Sequence, residues 1–137
     1  KARRLSGNQP FVLNYLGYSW IDNGVNLYQG LEMIKKAVAQ EPRNGFFVDS
    51  LGWAFYRMKD FRAAVQFLEK ATELEPDDPE IIDHLGDALW QSGRQIEARY
   101  QWRRALALED DTTKQKEIED KIDHGVIQDA SGPGPAI

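Results

Sequence analysis

Along residues 45–78, apolar residues recur at helical spacing in two successive runs separated by a short polar turn. Val48, Leu51, Gly52 and Phe55 fall at i, i+3, i+4 and i+7, the spacing of one helix face. After Lys59-Asp60 a second stripe carries Ala64, Leu68 and Ala71 and closes at Glu75-Pro76. The skeleton repeats on both sides. Leu16-Gly17, Leu51-Gly52 and Leu85-Gly86 recur, as do Ala37, Ala71 and Ala105, and Pro42 and Pro76, at steps of 34 or 35 residues. A fixed period of this length predicts a solenoid of helix pairs, each burying its apolar face only against its neighbours.

Local signals agree with the period. Asp78 precedes Pro79 and Glu80, an N-cap, a first-turn proline and an acid at the positive helix end. Asn44 is placed to cap the first helix of the middle pair, and Gly24 and Gly93 offer left-handed exits from the first helices of the first and third pairs. Pro10 is expected to open a helix. Residues 112–124 are polar except for a thin stripe such as Ile118 and Ile122, the profile of a helix that covers the last repeat and faces water elsewhere. Residues 126–137 carry turn formers without periodicity and are expected to be disordered. At the other end, Lys1-Ala2 lies 35 residues before Lys36-Ala37. Residues 1–9 therefore read as the tail of a preceding helix, and the chain as cut from a longer array.

These residues and spacings resemble the tetratricopeptide repeat (TPR), a helix–turn–helix unit of about 34 residues. The family pattern sets Leu-Gly in the first helix, a large apolar residue on the same face, a small residue entering the second helix, an Ala further on and a closing Pro. The middle unit carries all of these. The first has Leu16, Gly17, Trp20, Gly30, Ile34, Ala37 and Pro42, with a turn one residue longer. The third has Leu85, Gly86, Leu89, Ala98, Trp102 and Ala105, but Asp110 stands where Pro is expected. The resemblance implies an all-α, right-handed TPR solenoid: a helix remnant at 1–9, repeats at 10–44, 45–78 and 79–111, a capping helix at 112–125 and a tail at 126–137. It further implies the C-terminal part of a larger bacterial-type multi-TPR protein.

Composition narrows the function. The net charge is −5, and each of the second and third repeats carries −3, so the body of the chain repels phosphate and nucleic acid is not an expected partner. No apolar run approaches the roughly 18 residues of a transmembrane helix. Cysteine is absent, which excludes disulfides and thiolate metal sites. There is no cysteine nucleophile, no glycine-rich phosphate loop and only two histidines, so catalysis and a cofactor find no support. Cytoplasm and periplasm both stay open as compartments.

Helical geometry puts Asp49, Trp53 and Tyr56 on a different face from the packing stripe. One repeat away in either direction stand Asn14, Tyr18 and Ile21, and Asp83, Asp87 and Trp90. By resemblance to TPR proteins this face lines a concave groove where peptides dock. The expected groove thus comprises Asn14, Tyr18, Asp49, Trp53, Tyr56, Asp83, Asp87 and Trp90. Aromatics give rigid contact area and carboxylates attract Lys or Arg. A ligand arginine stacked on Trp53 and held by Asp49 or Asp83 would be one such contact. The Lys- and Asn-rich clamp by which some TPR domains grip a peptide's terminal carboxylates is disfavoured, since Asp49, Asp83 and Asp87 occupy that face.

Two clusters, Asp83-His84-Asp87 and Asp120-Asp123-His124, have a spacing that can share a cation, but each holds a single histidine and reads as a solvated acidic face. Arg99, Arg103 and Arg104 read as solvated arginines balancing Glu97 and Glu109. The sequence therefore points to a non-catalytic scaffold that binds a protein or peptide segment. The alternatives are an element that self-associates through the apolar face of its first helix, with Phe11 and Leu13, and an accessory domain of an upstream enzyme.

Overall fold

A computed structural model describes the backbone of residues 2–126 and the side chains of residues 9–126. Its helices come in antiparallel pairs: α1 (Ala2–Asp22) with α2 (Leu27–Gln40), α3 (Gly45–Arg57) with α4 (Phe61–Leu74), and α5 (Pro79–Gln91) with α6 (Gln95–Leu108), followed by a single α7 (Thr112–His124). The expected starts are confirmed in their chemistry. Asn44 Oδ1 accepts from Phe46 N and Phe47 N, and Asp78 Oδ1 accepts from Ile81 N. Asp60 and Asp111 cap α4 and α7 in the same manner. Each pair has a left-handed residue at the same repeat position of its turn, Gly24, Lys59 and Gly93, with φ of 72°, 68° and 83°, and the longer first turn has a second at Asn26, φ 49°.

One boundary differs. α1 runs unbroken through Pro10, so the stretch 1–9 and the helix expected to open at Pro10 are one element from Ala2 onward. The proline φ is already helical, but inside a helix the residue forfeits a hydrogen bond and its ring crowds the carbonyl four residues back, a cost of about 3 kcal/mol that α1 bears at Pro10. The tail expected to be disordered lies, beyond Val126, outside the described residues.

Packing follows the period. Leu51 clusters with Leu31 and Ile34 of the preceding pair, and Leu85 clusters with Val65 and Leu68 of its own predecessor. Within the first pair the backbones approach closely: a Cβ on Gly17 would stand 2.7 Å from the Gly30 carbonyl oxygen, and one on Gly30 2.9 Å from that of Gly17. Only glycine admits this contact. The first helices also touch in succession, α1 with α3 and α3 with α5, which makes them the inner layer of the stack. Ile118 of α7 is buried and joins the α5–α6 core, as its stripe foretold.

Candidate functional site

The face shared by α1, α3 and α5 holds the residues singled out from the sequence. Asp49 and Asp87 are buried; Asn14, Tyr18, Trp53, Tyr56, Asp83 and Trp90 are half-buried. Ile21, assigned to the same face by spacing, is wholly buried in the core between α1, α2 and α3. The α1–α2 junction draws it inward.

The centre of the face is an aromatic stack bridging α3 and α5. The Trp53 ring lies 4.5 Å from that of Tyr56 at an interplanar angle of 9°, and 4.1 Å from the His84 imidazole at 20°. His84 Nδ1 lies 2.9 Å from Asp49 Oδ1. Burial opposes a charge on His84, but Asp49, then Asp87 and Glu80, push its pKa up to about 9. An imidazolium stacked on Trp53 and held by Asp49 is the arrangement expected of a ligand arginine. The protein supplies it internally, one repeat further on.

A second acidic position is filled in the same way. Lys121 Nζ of α7 stands 2.7 Å from Asp83 Oδ1 and 2.9 Å from Asp87 Oδ1. The indole N–H of the fully buried Trp102 also donates to Asp87 Oδ1, at 3.2 Å. Burial raises the Asp87 pKa against the pull of Lys121. Burial likewise works against the Lys121 ammonium, but Asp87 and Asp83 outweigh it and raise its pKa. The acidic face read as solvated is therefore largely neutralised within the fold. The reason is tertiary: α7 occupies the next first-helix position in the stack and brings Lys121 over the carboxylates.

Trp90 faces α6 and α7. Its ring lies 5.6 Å from that of Trp102, the Arg99 guanidinium sits 4.9 Å from its centroid, and Gly125 is in contact with it. Arg99 also donates to the Ile122 carbonyl oxygen at 2.8 Å, so it ties α6 to α7 instead of lying solvated beside Glu97. Arg104 donates to Gln101 and to the Pro76 carbonyl oxygen, while Arg103 is exposed.

Two groups on α1 and α3 are less satisfied. Asn14 Oδ1 and the Trp53 indole N–H are buried and have no hydrogen-bond partner among the described residues. Burial, and after it the carboxylates of Asp22, Glu80 and Asp49, push the Tyr18 pKa well up. Burial and Asp87 push that of Tyr56 up to about 12. Both phenols therefore stay protonated donors. Sequence reasoning missed His84 and Lys121 as the cations of this face. The signal was present in register: Trp53, Asp87 and Lys121 succeed one another at 34 residues. Among the described residues no three His, Cys, Asp or Glu side chains converge as metal ligands, and no helix is long and apolar enough to cross a membrane.

Residues 49–78 match the family model described as tetratricopeptide repeat. A TPR repeat-containing protein of Pseudomonas aeruginosa is 37% identical over 74 residues, which are 53% of this chain and 12% of that protein. The chain thus matches a small part of a much longer relative. Among solved structures, the type III secretion translocator chaperone SycD of Yersinia enterocolitica superposes with a TM-score of 0.77 at 14% identity, covering 89% of this chain and 93% of that one. The first TPR of Spaghetti (RPAP3) bound to the HSP90 peptide SRMEEVD does so with a TM-score of 0.71 at 20% identity, covering 85% and 97%. At these identities the two structures share the fold.

Proposed function

The chain carries tetratricopeptide repeats and folds as a TPR solenoid, and on that premise we propose that it is a non-catalytic scaffold holding a protein or peptide segment on the inner face of α1, α3 and α5. The TPR fold is a protein–protein interaction scaffold, and one structural neighbour is described as bound to a peptide. The observation that carries the reading here is that two buried polar atoms of this face are unpartnered, Asn14 Oδ1 on α1 and the Nε1 of Trp53 in the Tyr56–Trp53–His84 stack. An unmet buried donor costs about 1–3 kcal/mol, which a ligand's amide groups can relieve.

The ligand contacts fall mainly on Asn14, Tyr18, Trp53 and Tyr56. Asp49, Asp83 and Asp87 contribute by orienting His84 and Lys121, and Trp90 forms the far wall. A ligand with aromatic or apolar anchors and free main-chain amides fits this half of the face. A basic side chain would have to displace His84 or Lys121. An acidic tail such as the SRMEEVD peptide of that neighbour would meet a chain of net charge −5.

The test is selection from a random peptide library on the wild-type chain, followed by titration of the selected peptides against Trp53→Ala and Asn14→Ala. With helicity unchanged by circular dichroism, each variant should bind at least about tenfold more weakly, roughly 1.4 kcal/mol. Arg103→Glu, on an exposed position of α6, should bind as wild type. Equal binding by Trp53→Ala and wild type removes the groove as the site.

A further inference from the structure

We infer that the outward face of α6 is a docking surface for an acidic protein segment that carries an apolar anchor. Ile96, Tyr100, Arg103 and Ala107, at i, i+4, i+7 and i+11, form one stripe of α6 opposite its buried Ala98, Trp102 and Ala105. All four are exposed, Ile96 by 86% and Tyr100 by 60%. The same positions of α4 hold Arg62, Gln66, Glu69 and Glu73, the polar face usual for an outer helix. In α2 they hold Tyr28, Glu32, Lys35 and Ala39. These counterparts stay exposed although a further helix pair follows each of them. The exposure of the α6 stripe therefore belongs to its place in the outer layer, whatever follows α6. What sets α6 apart is Ile96 with Tyr100 one turn on, where α4 has Arg62 and Gln66. Large apolar side chains adjacent to each other on an unpacked face mark an interaction surface.

Charge decides what this surface takes. In a chain of net charge −5, α6 carries Arg99, Arg103 and Arg104 against a single glutamate, Glu97. Arg94, at the N-cap of the helix, takes up that glutamate through bonds of 2.7 and 2.9 Å to its two carboxylate oxygens. The three arginines form no ion pair among the described residues. Arg99 donates to the Ile122 carbonyl oxygen, Arg104 to oxygens of Gln101 and Pro76, and Arg103 is exposed. Helical spacing sets Arg103 within the apolar stripe and Arg99 and Arg104 on its two flanks. Carboxylates of a partner supply the countercharge that the fold does not provide. From Ile96 to Ala107 the stripe is about 16 Å long, the reach of a segment of about three helical turns. Such a segment stays within about a Debye length, roughly 8–10 Å, of these arginines. Nucleic acid or an anionic membrane extends beyond α6 and meets the acidic remainder of the chain, which repels it. An open concavity of about 390 Å³, lined by Gly93, Arg94, Gln95, Ile96 and Glu97, gives room beside Ile96 for the partner's apolar anchor.

Selection from a random peptide library on the Trp53→Ala variant, which lacks the proposed inner-face anchor, tests this. The recovered peptides should be rich in Asp and Glu beside Leu, Ile, Phe or Tyr, and should bind the wild-type chain equally well. With helicity unchanged, Arg103→Glu and the double variant Ile96→Ser, Tyr100→Ser should each weaken them at least about tenfold. Gln66→Ser, at the position of Tyr100 in α4, should leave them bound, and added salt should loosen them. They form a class apart from inner-face ligands, which Arg103→Glu leaves unchanged. Vesicles containing phosphatidylserine should not bind the chain. A selection that yields no peptides, peptides without acidic enrichment, or peptides indifferent to both α6 variants overturns the inference. So does Arg103-dependent binding of those vesicles in place of acidic peptides. The inner-face reading fails separately, when no peptide selected on the wild-type chain is lost with Trp53→Ala.

Discussion

Lys121 stands 34 residues after Asp87, and its ammonium lies 2.9 Å from Asp87 Oδ1. The contact joins one helix position to the same position one step along the stack. Asp87 is only 7% exposed, a costly place for a carboxylate without partners. Lys121 and the Trp102 indole supply those partners, which makes α7 part of the inner face as well as a cover for the last core.

Removing the cation should show this. Lys121→Met leaves Asp87 and Asp83 without their countercharge. Breaking a fully buried pair costs about 3–5 kcal/mol; with Lys121 partly exposed we expect about 2–3 kcal/mol. That corresponds to a fall in Tm of roughly 10 °C for a domain of this size. Thermal melts checked by circular dichroism read it, and adding Asp87→Asn in the Lys121→Met background should cost little more.

Stability should also fall on the alkaline side. His84 has its pKa raised from 6.5 to about 9 by Asp49, Asp87 and Glu80. A raised histidine pKa means that the folded state holds the proton more tightly than the unfolded state. The stabilisation is then complete below about pH 6.5 and is lost as pH climbs through about 9. The span is worth up to roughly 3 kcal/mol. Urea midpoints measured from pH 6 to pH 9.5 should decline for wild type and run flatter for His84→Gln.

Gly17→Ala tests the close approach of α1 and α2. The added methyl would meet the Gly30 carbonyl oxygen at 2.7 Å and Ile34 Cγ1 at 2.8 Å, and the backbone atom cannot rotate away. Overpacking of this kind costs about 1–3 kcal/mol despite alanine's better helix propensity. A lower denaturation midpoint, with α1 and α2 amides exchanging faster, is the expected outcome.

Lys59→Gly should act in the opposite direction. Lys59 takes φ of 68° at the turn position where the other two pairs have Gly24 and Gly93. A non-glycine residue in this region costs about 1–2 kcal/mol, and glycine returns part of that gain as unfolded-state entropy, about 0.5–1 kcal/mol. A net gain of about 0.5 kcal/mol in urea denaturation is expected.

Much of the fold was legible because a repeat states its own register. Leu51-Gly52 and Leu85-Gly86 announced which faces pack, and Asn44, Asp78, Gly24 and Gly93 announced where helices start and turn. Pro10 misled because a residue that permits a helix start does not require one. On the inner face, Asp49 and Trp53 could be placed together by helical spacing alone. Their partner His84 could not, because it comes from another helix at a step of 35 residues, one off the period.

By itself the sequence determined the number of helix pairs, the packing faces and the caps, since these depend on local periodicity and on contacts between adjacent repeats. Only the tertiary structure decided which charges remain free. Whether Asp49, Asp83 and Asp87 meet a ligand or an internal cation depends on the side chains that neighbouring first helices and α7 carry into reach. In a buried, weakly screened setting, a lysine at 2.7 Å or a histidine at 2.9 Å reverses the reading that the same carboxylates would have on a solvated helix.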